Sequence, residues 1–172
     1  MNKYRMISDP LPGIPWQERP EGLENAPVWR YSENPIIKRN PVKGIARIFN
    51  SAVIPWKDGY AGVFRAEAVN GIPLIHRGFS RDGVKWEIEE KPIPFVDENG
   101  APAMPNYAYD PRLVKVEDTY YVIWCTDFFG AAIGMAKTKD FETFTRVECL
   151  LMPYQATLIR HLFQQSNQIY CA

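Results

Sequence analysis

The sequence is poor in the residues that build metal centres and disulfide frameworks. It has 3 cysteines and 2 histidines among 172 residues. Cys125, Cys149 and Cys171 are widely spaced, and only His76 and His161 could supply imidazole ligands. Metal sites and disulfide scaffolds need such residues in pairs or clusters. We therefore expect no metal, no cofactor and no disulfide framework.

An excess of charge of one sign is also missing, as are long hydrophobic runs. Lys and Arg number 20 and so do Asp and Glu, so no basic field favours nucleic acid or an anionic membrane. The apolar runs are far shorter than the roughly 20 residues of a membrane span. The opening MNKYRMISDPLPGIPW lacks the apolar segment of a secretory signal. We expect a cytoplasmic protein that binds neither nucleic acid nor membrane.

Prolines and aromatic residues, by contrast, are plentiful. The chain has 15 prolines, and aromatic residues make up 13% of it. This mixture is typical of an all-β protein with many turns and aromatic-lined grooves, and the length suits one domain. Residues 1–44, rich in Pro, Asn and charge, are expected to form an irregular N-terminal lead-in with at most one short strand.

From Ile45 onward, β-prone runs alternate with turn signals. The runs IARIFNSAVIPW, YAGVFRAE, LIHRGFS and KWEIEE are separated by KDG, VNGIP and RDG. Short strands joined by such turns form an antiparallel meander.

The same order of strand, acidic turn and tyrosine returns further along the chain. At an offset of 60 residues the stretch 50–60 aligns with 110–120, and at an offset of 58 residues SRDGVKW (80–86) aligns with TKDFETF (138–144). Four-stranded repeats of about 40–60 residues are typical of β-propeller blades. Residues 45–154 are therefore predicted to form a partial β-propeller with two clear repeats.

The β pattern stops at LLMPY, and no third repeat follows. Residues 155–172 form an atypical tail that fits either a short amphipathic helix, because apolar residues fall at helical spacing, or a non-native segment from a truncated or frameshifted reading frame. Because a propeller needs at least about four blades to close, we expect an incomplete propeller of about two to three blades.

Two polar residues occupy equivalent positions on the two repeats. Asn50 and Asp110 begin the strands that would line the central channel, where active sites of propellers gather. The structural alternative for Asp110 is a turn residue, or an ion pair with Arg112. Arg65 similarly fits either a surface ion pair with Glu67 or an inward cation that holds a sugar hydroxyl or an anion.

Several aromatic residues have both a structural and a functional interpretation. Trp86 and Phe144 are expected to pack between blades rather than stack on a ligand. The stretch CTDFFGAAIG fits either a loop at the channel mouth, with Asp127, Phe128 and Phe129 facing a sugar, or a plain hairpin connection. The sequence has no nucleotide-binding loop, serine elbow or zinc helix, which leaves carboxylate-driven glycosyl chemistry in an aromatic groove.

Three stretches, ARIFNSAVIPWKDGYAGVFRAE, YAYDPRLVKVEDTYYVIWC and IGMAKTKDFETF, resemble the β-mannoside phosphorylases of glycoside hydrolase family 130. The resemblance covers about residues 25–154 and is strongest to the branch acting on β-1,4-mannooligosaccharides or mannosyl-N-acetylglucosamine. It implies a five-bladed β-propeller and an inverting phosphorolysis that yields α-mannose 1-phosphate. Asp110 matches the family's proton donor, which acts through the mannose 3-hydroxyl. Asn50, Ser51 and Arg65 match positions that bind the mannosyl unit.

One carboxylic acid suffices for this reaction, because phosphate is already an anionic nucleophile, whereas inverting hydrolysis needs two. The resemblance implies that cations from later blades hold the phosphate, and that members of the family are about twice this length. We therefore expect the chain alone to lack phosphorolytic activity. Its partners would be a β-mannoside oligosaccharide and phosphate as co-substrate, and its exposed blade faces would favour self-association.

Two other functions stay open at this point. A propeller glycosidase that uses water would need a second carboxylate as base, and Glu67 and Asp127 are the local candidates. A non-catalytic carbohydrate-binding remnant would bind β-mannosides without turning them over. The sequence does not determine the acceptor sugar, which could be mannose, N-acetylglucosamine or glucose.

Overall fold

The computed structural model describes residues 13–15, 17, 19–127 and 131–151. These residues form β-strands joined by turns, and within these ranges no helix occurs, so none that could cross a membrane. The all-β class predicted from the sequence is confirmed. The strands are β1 Ile45–Trp56, β2 Gly59–Ala68, β3 Pro73–Ser80, β4 Glu87–Ile88, β5 Phe95–Val96, β6 Tyr109–Val116, β7 Thr119–Asp127, β8 Ala131–Thr138 and β9 Phe144–Leu151.

The strands form two antiparallel meanders, as the repeat predicted. The first sheet has the order β1-β2-β3-β4 and the second the order β5-β9-β8-β7-β6. The strands β6 to β9 pair antiparallel, whereas the short β5 adds itself in parallel to the outer edge of β9. The sequence did not predict β5, which makes the second sheet five-stranded.

The lead-in is irregular over its described part. Between residues 19 and 44 the chain forms turns and bends and no strand. The short strand that the sequence allowed there is absent from the part of the lead-in that the structure describes. Residues 155–172, together with Phe128 and Phe129, lie outside the described residues, so the predictions for them stay predictions.

The hairpin turns of the two sheets carry acidic residues at corresponding positions. Asp58 follows Lys57 in the β1–β2 turn, and Asp118 follows Glu117 in the β6–β7 turn. Lys57 and Glu117 both have a φ of 52°. The 60-residue offset therefore relates residues of the same left-handed backbone conformation, and both aspartates lie in turns, as expected.

A second pair of turns repeats in the same way after β3 and β8. In each turn a hydroxyl, of Ser80 or Thr138, accepts hydrogen bonds from the N–H groups two and three residues later. The carboxylate of Asp82 or Asp140 accepts two further N–H groups in each turn. The 58-residue offset thus aligns side chains with the same hydrogen-bonding role, because Ser, Thr and Asp stabilise turns through such bonds.

The hydrophobic core lies between the two sheets. Its buried members come from both sheets and from the segment that joins them: Ala61, Val63, Ile75, Ile93, Phe95, Ala108, Tyr120, Val122, Trp124, Ala136, Phe141 and Phe144. Burial of a large apolar side chain contributes about 1.5–3 kcal/mol, so this layer holds the sheets face to face. Phe144 packs between the sheets as predicted, but Trp86 packs outside this cluster, with its ring centroid 5.0 Å from that of Phe64.

One cation joins the sheets at their outer part. Arg77 of β3 forms ion pairs with Glu89 at 2.8 Å and with Glu142 of the β8–β9 turn at 2.9 Å. Its guanidinium also donates to the carbonyl oxygen of Phe141, a residue with a φ of 61°. We call these groups the Arg77 clamp.

Candidate functional site

The first strands of the two antiparallel meanders, β1 and β6, lie against each other. Each is interrupted by a β-bulge. In β1, Phe49 and Asn50 together lie opposite Arg65 of β2, because the register shifts between Ile48 and Ser51. A bulge bends its strand and redirects the side chain at that point.

The bulge in β6 falls one residue later in the aligned repeat. Asp110 and Pro111 together lie opposite Trp124 of β7, because the register shifts between Tyr109 and Arg112. The aligned residues Asn50 and Asp110 therefore both lie in bulges of adjacent sheets, Asn50 as the second residue of its bulge and Asp110 as the first.

The backbone of Asp110 is left-handed, with a φ of 52°. Aspartate tolerates this conformation better than most residues. Asp110 lies inside β6 rather than in a hairpin turn. The predicted alternative of an ion pair with Arg112 is not formed, since Arg112 Nη1 donates to the Pro111 carbonyl oxygen at 2.9 Å.

Asp110 instead pairs with Arg65 across the two sheets. Arg65 Nη1 donates to Asp110 Oδ1 at 2.9 Å, and the two side chains are 25% and 30% exposed. A charge-assisted hydrogen bond of this length is stronger than a neutral one. The pair is therefore partly shielded from water and still open to a ligand.

Glu67 is the weaker of the two carboxylate partners of Arg65. Glu67 Oε1 lies 3.9 Å from Arg65 Nη2, whereas Glu67 Oε2 lies 2.9 Å from Arg47 Nε. The surface ion pair between Arg65 and Glu67 that the sequence left open is thus secondary. Charges of alternating sign run from the exposed Arg47 through Glu67 and Arg65 to Asp110.

Aromatic rings enclose the Arg65 guanidinium. Its Cζ lies 4.9 Å from the ring centroid of Phe49 and 5.4 Å from that of Tyr109, which is within reach of a cation–π attraction. Sequence reasoning did not include these rings in the site. A signal was present, because an aromatic residue directly precedes the bulge residue in both repeats, in Phe49-Asn50 and in Tyr109-Asp110.

Tyr109 has a further property of a binding-site group. Burial raises the pKa of its phenol above the ordinary value, and the neighbouring Cys125, Tyr107 and Asp110 add to the rise. A tyrosine hydroxyl can both donate and accept hydrogen bonds.

The remaining predicted binding residues, Asn50 and Ser51, are exposed on β1. Ser51 Oγ donates to the Phe49 carbonyl oxygen at 2.9 Å. The Asn50 amide makes no hydrogen bond to another described residue. The register of the β1 bulge places Asn50 opposite Arg65. Asp127 is exposed at the end of β7.

A cleft of about 510 Å³ opens beside the ion pair, with Arg65, Glu67, Tyr107 and Tyr109 among its lining residues. Another cleft, of about 580 Å³, lies at the hairpin-turn end of the sheets. Its lining includes Asp82 and Asp140, whose carboxylates already accept turn N–H groups. We assign the candidate site to the region of the first cleft because its lining includes Arg65, the partner of Asp110.

Sequence comparison gives the relationship to characterised proteins. A family model described as beta-1,4-mannooligosaccharide phosphorylase matches residues 10–170, a range that includes most of the atypical tail. The beta-1,4-mannooligosaccharide phosphorylase of Ruminococcus albus is 39% identical over 151 residues, which are 84% of this chain and 45% of that protein. The chain therefore spans less than half the length of this curated relative.

Solved structures share the fold at low sequence identity. The beta-1,2-mannobiose phosphorylase from Listeria innocua superposes with a TM-score of 0.57 at 17% identity, over 73% of this chain and 52% of that one. A putative glycoside hydrolase from Bacteroides ovatus gives 0.54 at 23% identity, over 74% and 39%. The neighbours of the family are five-bladed β-propellers, so the two sheets are blades of a partial propeller. The chain belongs to glycoside hydrolase family 130, the family of the mannoside phosphorylases.

Proposed function

We propose that this chain supplies the proton donor and the mannosyl-binding residues of an inverting β-1,4-mannoside phosphorylase. The observation that carries the proposal is the 2.9 Å pair of Arg65 and Asp110, formed between two blades beside the Asn50 bulge. Such a partly shielded acid among aromatic rings and amide groups suits a sugar ligand.

In the proposed reaction, Asp110 gives its proton to the 3-hydroxyl of a terminal β-mannosyl unit, and that hydroxyl passes its own proton to the glycosidic oxygen. An oxygen of inorganic phosphate forms a bond to the anomeric carbon as the bond to the leaving sugar breaks. The attack comes from the opposite face, so the product is α-mannose 1-phosphate and a saccharide shortened by one unit. Asn50, Ser51 and Arg65 would hold the mannosyl unit so that it reacts in line.

Phosphate is the co-substrate in this proposal, and no cofactor takes part. The Arg65 guanidinium is engaged by Asp110 and Glu67, and the chain spans 45% of its curated relative, so we expect the cations that hold phosphate to come from outside this chain. The chain alone is then expected to release no mannose 1-phosphate from mannobiose and phosphate.

The phosphorylase is favoured over a hydrolase because of the state of Glu67. A hydrolase would need a second carboxylate that is free to activate water. Glu67 is held by Arg47 at 2.9 Å and contacts Arg65. Both oxygens of this carboxylate thus face guanidinium groups rather than an open space for water.

A chimera tests the proposal. The corresponding part of the Ruminococcus albus relative would be replaced by residues 13–151 of this chain, and α-mannose 1-phosphate would be followed by phosphorus NMR. We expect product from β-1,4-mannobiose that depends on phosphate and is lost with Asp110→Asn. Mannose release without phosphate would favour the hydrolase. A folded chimera that binds mannobiose and turns over neither way would favour the carbohydrate-binding remnant.

Location and assembly are part of the same proposal. We expect the protein to act in the cytoplasm and its exposed blade faces to favour self-association. Cell fractionation and analytical ultracentrifugation check these two expectations.

A further inference from the structure

We propose that Arg47 is a positioning residue for the proton donor. It holds the carboxylate of Glu67 and thereby leaves the guanidinium of Arg65 to pair with Asp110. This inference rests on the proposed function, since it concerns the side chain that would donate the proton. The sequence pointed to Arg65 and Glu67 as partners of each other and gave Arg47 no role.

The guanidinium of Arg65 has two carboxylates within reach. Arg65 and Glu67 are two positions apart on β2, so their side chains project from the same face of the sheet. Even so, Arg65 Nη2 lies 3.9 Å from Glu67, which is too long for a hydrogen bond. Arg65 Nη1 instead lies 2.9 Å from Asp110 on the other sheet. A further contact must therefore keep Glu67 away from its neighbour on the same strand.

Arg47 makes that contact. Arg47 Nε lies 2.9 Å from Glu67 Oε2, and the other carboxylate oxygen, Oε1, is the one that faces Arg65. Without the charge of Arg47, a single guanidinium would lie between the carboxylates of Glu67 and Asp110. Glu67 is 18% exposed, so water would screen its attraction to Arg65 only in part. Glu67 would then move towards Arg65 and weaken the bond from Arg65 to Asp110.

A second bulge in β1 places Arg47 opposite Glu67. The register shifts between Ile45 and Arg47, so Ala46 is an extra residue in the strand. In a regular ladder Ala46 itself would lie opposite Glu67. The Ala46 carbonyl oxygen accepts the N–H group of Asn40 at 3.0 Å, a bond that ties the bulge to the lead-in. Because directly opposed residues of antiparallel strands share a face, this bulge brings the guanidinium to the carboxylate.

The ring of Phe49 lies near both guanidinium groups. Its centroid is 5.3 Å from Arg47 Cζ and 4.9 Å from Arg65 Cζ, and both distances are within cation–π range. The Arg47 side chain is 51% exposed, and an ion pair so open to water contributes little to stability. We therefore expect Arg47 to act on the orientation of Glu67 rather than on the stability of the fold.

The experiment asks whether a change at Glu67 repairs a defect caused at Arg47. NMR of the whole chain follows the guanidinium nitrogen resonances of Arg65 and the carboxyl carbon resonance of Asp110. We expect Arg47→Met to shift these resonances. The double variant Arg47→Met with Glu67→Gln should bring them back, because glutamine has no charge with which to compete for Arg65. Arg47→Lys, which keeps the charge, should leave them close to their original positions.

Titration of the same variants with methyl β-mannoside measures the consequence for the site. Arg47→Met should weaken binding about three- to tenfold, the change expected when one charge-assisted hydrogen bond is weakened. The double variant should recover most of the affinity, which it would not do if Arg47 only stabilised the fold. Arg81→Met, which removes an exposed arginine directly after β3, is the control and should change neither the resonances nor the affinity.

The outcomes separate this inference from the proposed function. If Arg47→Met leaves the Arg65 and Asp110 resonances in place, or if the double variant does not restore them, Arg47 is not a positioning residue and the proposed function stands. Shifted resonances with unchanged affinity would also overturn the role of Arg47. If the resonances respond as expected and the unmodified chain does not bind methyl β-mannoside, Arg47 controls the pair and the proposed mannosyl site is wrong.

Discussion

At the scale of single residues, Asp110 and Asn50 both lie in bulges but differ in backbone conformation. Asp110 has a φ of 52°, and Asn50 is not among the residues with positive φ. The two bulges therefore differ in backbone geometry. A non-glycine residue in this conformation costs about 1–2 kcal/mol, and such residues concentrate at functional sites. The left-handed conformation of Asp110 allows its carboxylate to contact Arg65.

The conformation of Asp110 leads to a prediction about its variants. Asp110→Asn should change stability little, because asparagine also tolerates positive φ and can still accept from Arg65. Asp110→Ala should be less stable by about 1–2 kcal/mol, because alanine has the strained backbone and no acceptor. Urea denaturation of both variants measures this difference. Equal stabilities would show that the left-handed conformation relaxes when the side chain is removed.

The partner of Arg65 also shows a limit of sequence reasoning. Asp110, Asn50, Ser51 and Arg65 could be named from the repeat and the family resemblance. The pairing of Arg65 with Asp110 could not be derived from spacing, because the two residues are 45 positions apart and Glu67 is the nearer carboxylate in sequence. A contact between strands of different sheets depends on how the sheets pack, and a single sequence contains no direct record of that.

At the scale of elements, the hairpins and their turns were predictable and β5 was not. The strands β1 to β3 and β6 to β8 alternate with Gly- and Asp-containing turns, which are strong local signals. By contrast, β5 has two residues and no periodicity, and it pairs with Phe144 and Thr145 of β9 far along the chain. The two-residue β4 is similarly shorter than the KWEIEE run suggests.

The Asp82 and Asp140 turns predict how stability depends on pH. Backbone N–H groups, above all that of Lys85 for Asp82 and that of Thr143 for Asp140, lower the pKa of each carboxyl from its ordinary value of 3.8. A lowered folded-state pKa means that the stabilisation is complete above the unfolded value and is lost as the pH falls through the lowered one. The chain should therefore lose stability below about pH 4 through these two turns.

Thermal melting at pH 6 and pH 3 measures this dependence. The double variant Asp82→Asn with Asp140→Asn should lose less melting temperature on acidification than the unmodified chain, because asparagine keeps an acceptor but does not titrate. Asp58→Asn, in the β1–β2 turn, is the control and should behave like the unmodified chain. An unchanged acid dependence in the double variant would contradict the assignment.

At the scale of the whole molecule, the two blades are held together by the aromatic core near β2 and β7 and by the Arg77 clamp further out. Arg77 is 13% exposed, while its partners Glu89 and Glu142 are 42% and 66% exposed. The exposure of the carboxylates lowers what each ion pair contributes. The bond from Arg77 to the Phe141 carbonyl oxygen adds a partner that solvent replaces less well.

Removal of the clamp should therefore loosen one blade against the other. Arg77→Met keeps the apolar stem and removes the charge, and we expect it to destabilise the chain by about 1–2 kcal/mol. Hydrogen exchange should become faster in the β8–β9 turn than in the β1–β2 turn. The control is Arg81→Met, which changes an exposed arginine directly after β3. Equal exchange in both turns would mean that the core alone holds the blades.

The placement of β5 bears on the order in which the chain folds during synthesis. The first sheet contains only residues that leave the ribosome before β5, so it can form as soon as β4 has emerged. The second sheet cannot be completed strand by strand as the chain emerges. Phe95 and Val96 of β5 can pair only after Phe144 and Thr145 of β9, its last strand, have been synthesised. Pairings between distant segments form slowly. The two-residue strand β5 thus makes completion of the second sheet a later step than formation of the first sheet in a nascent chain.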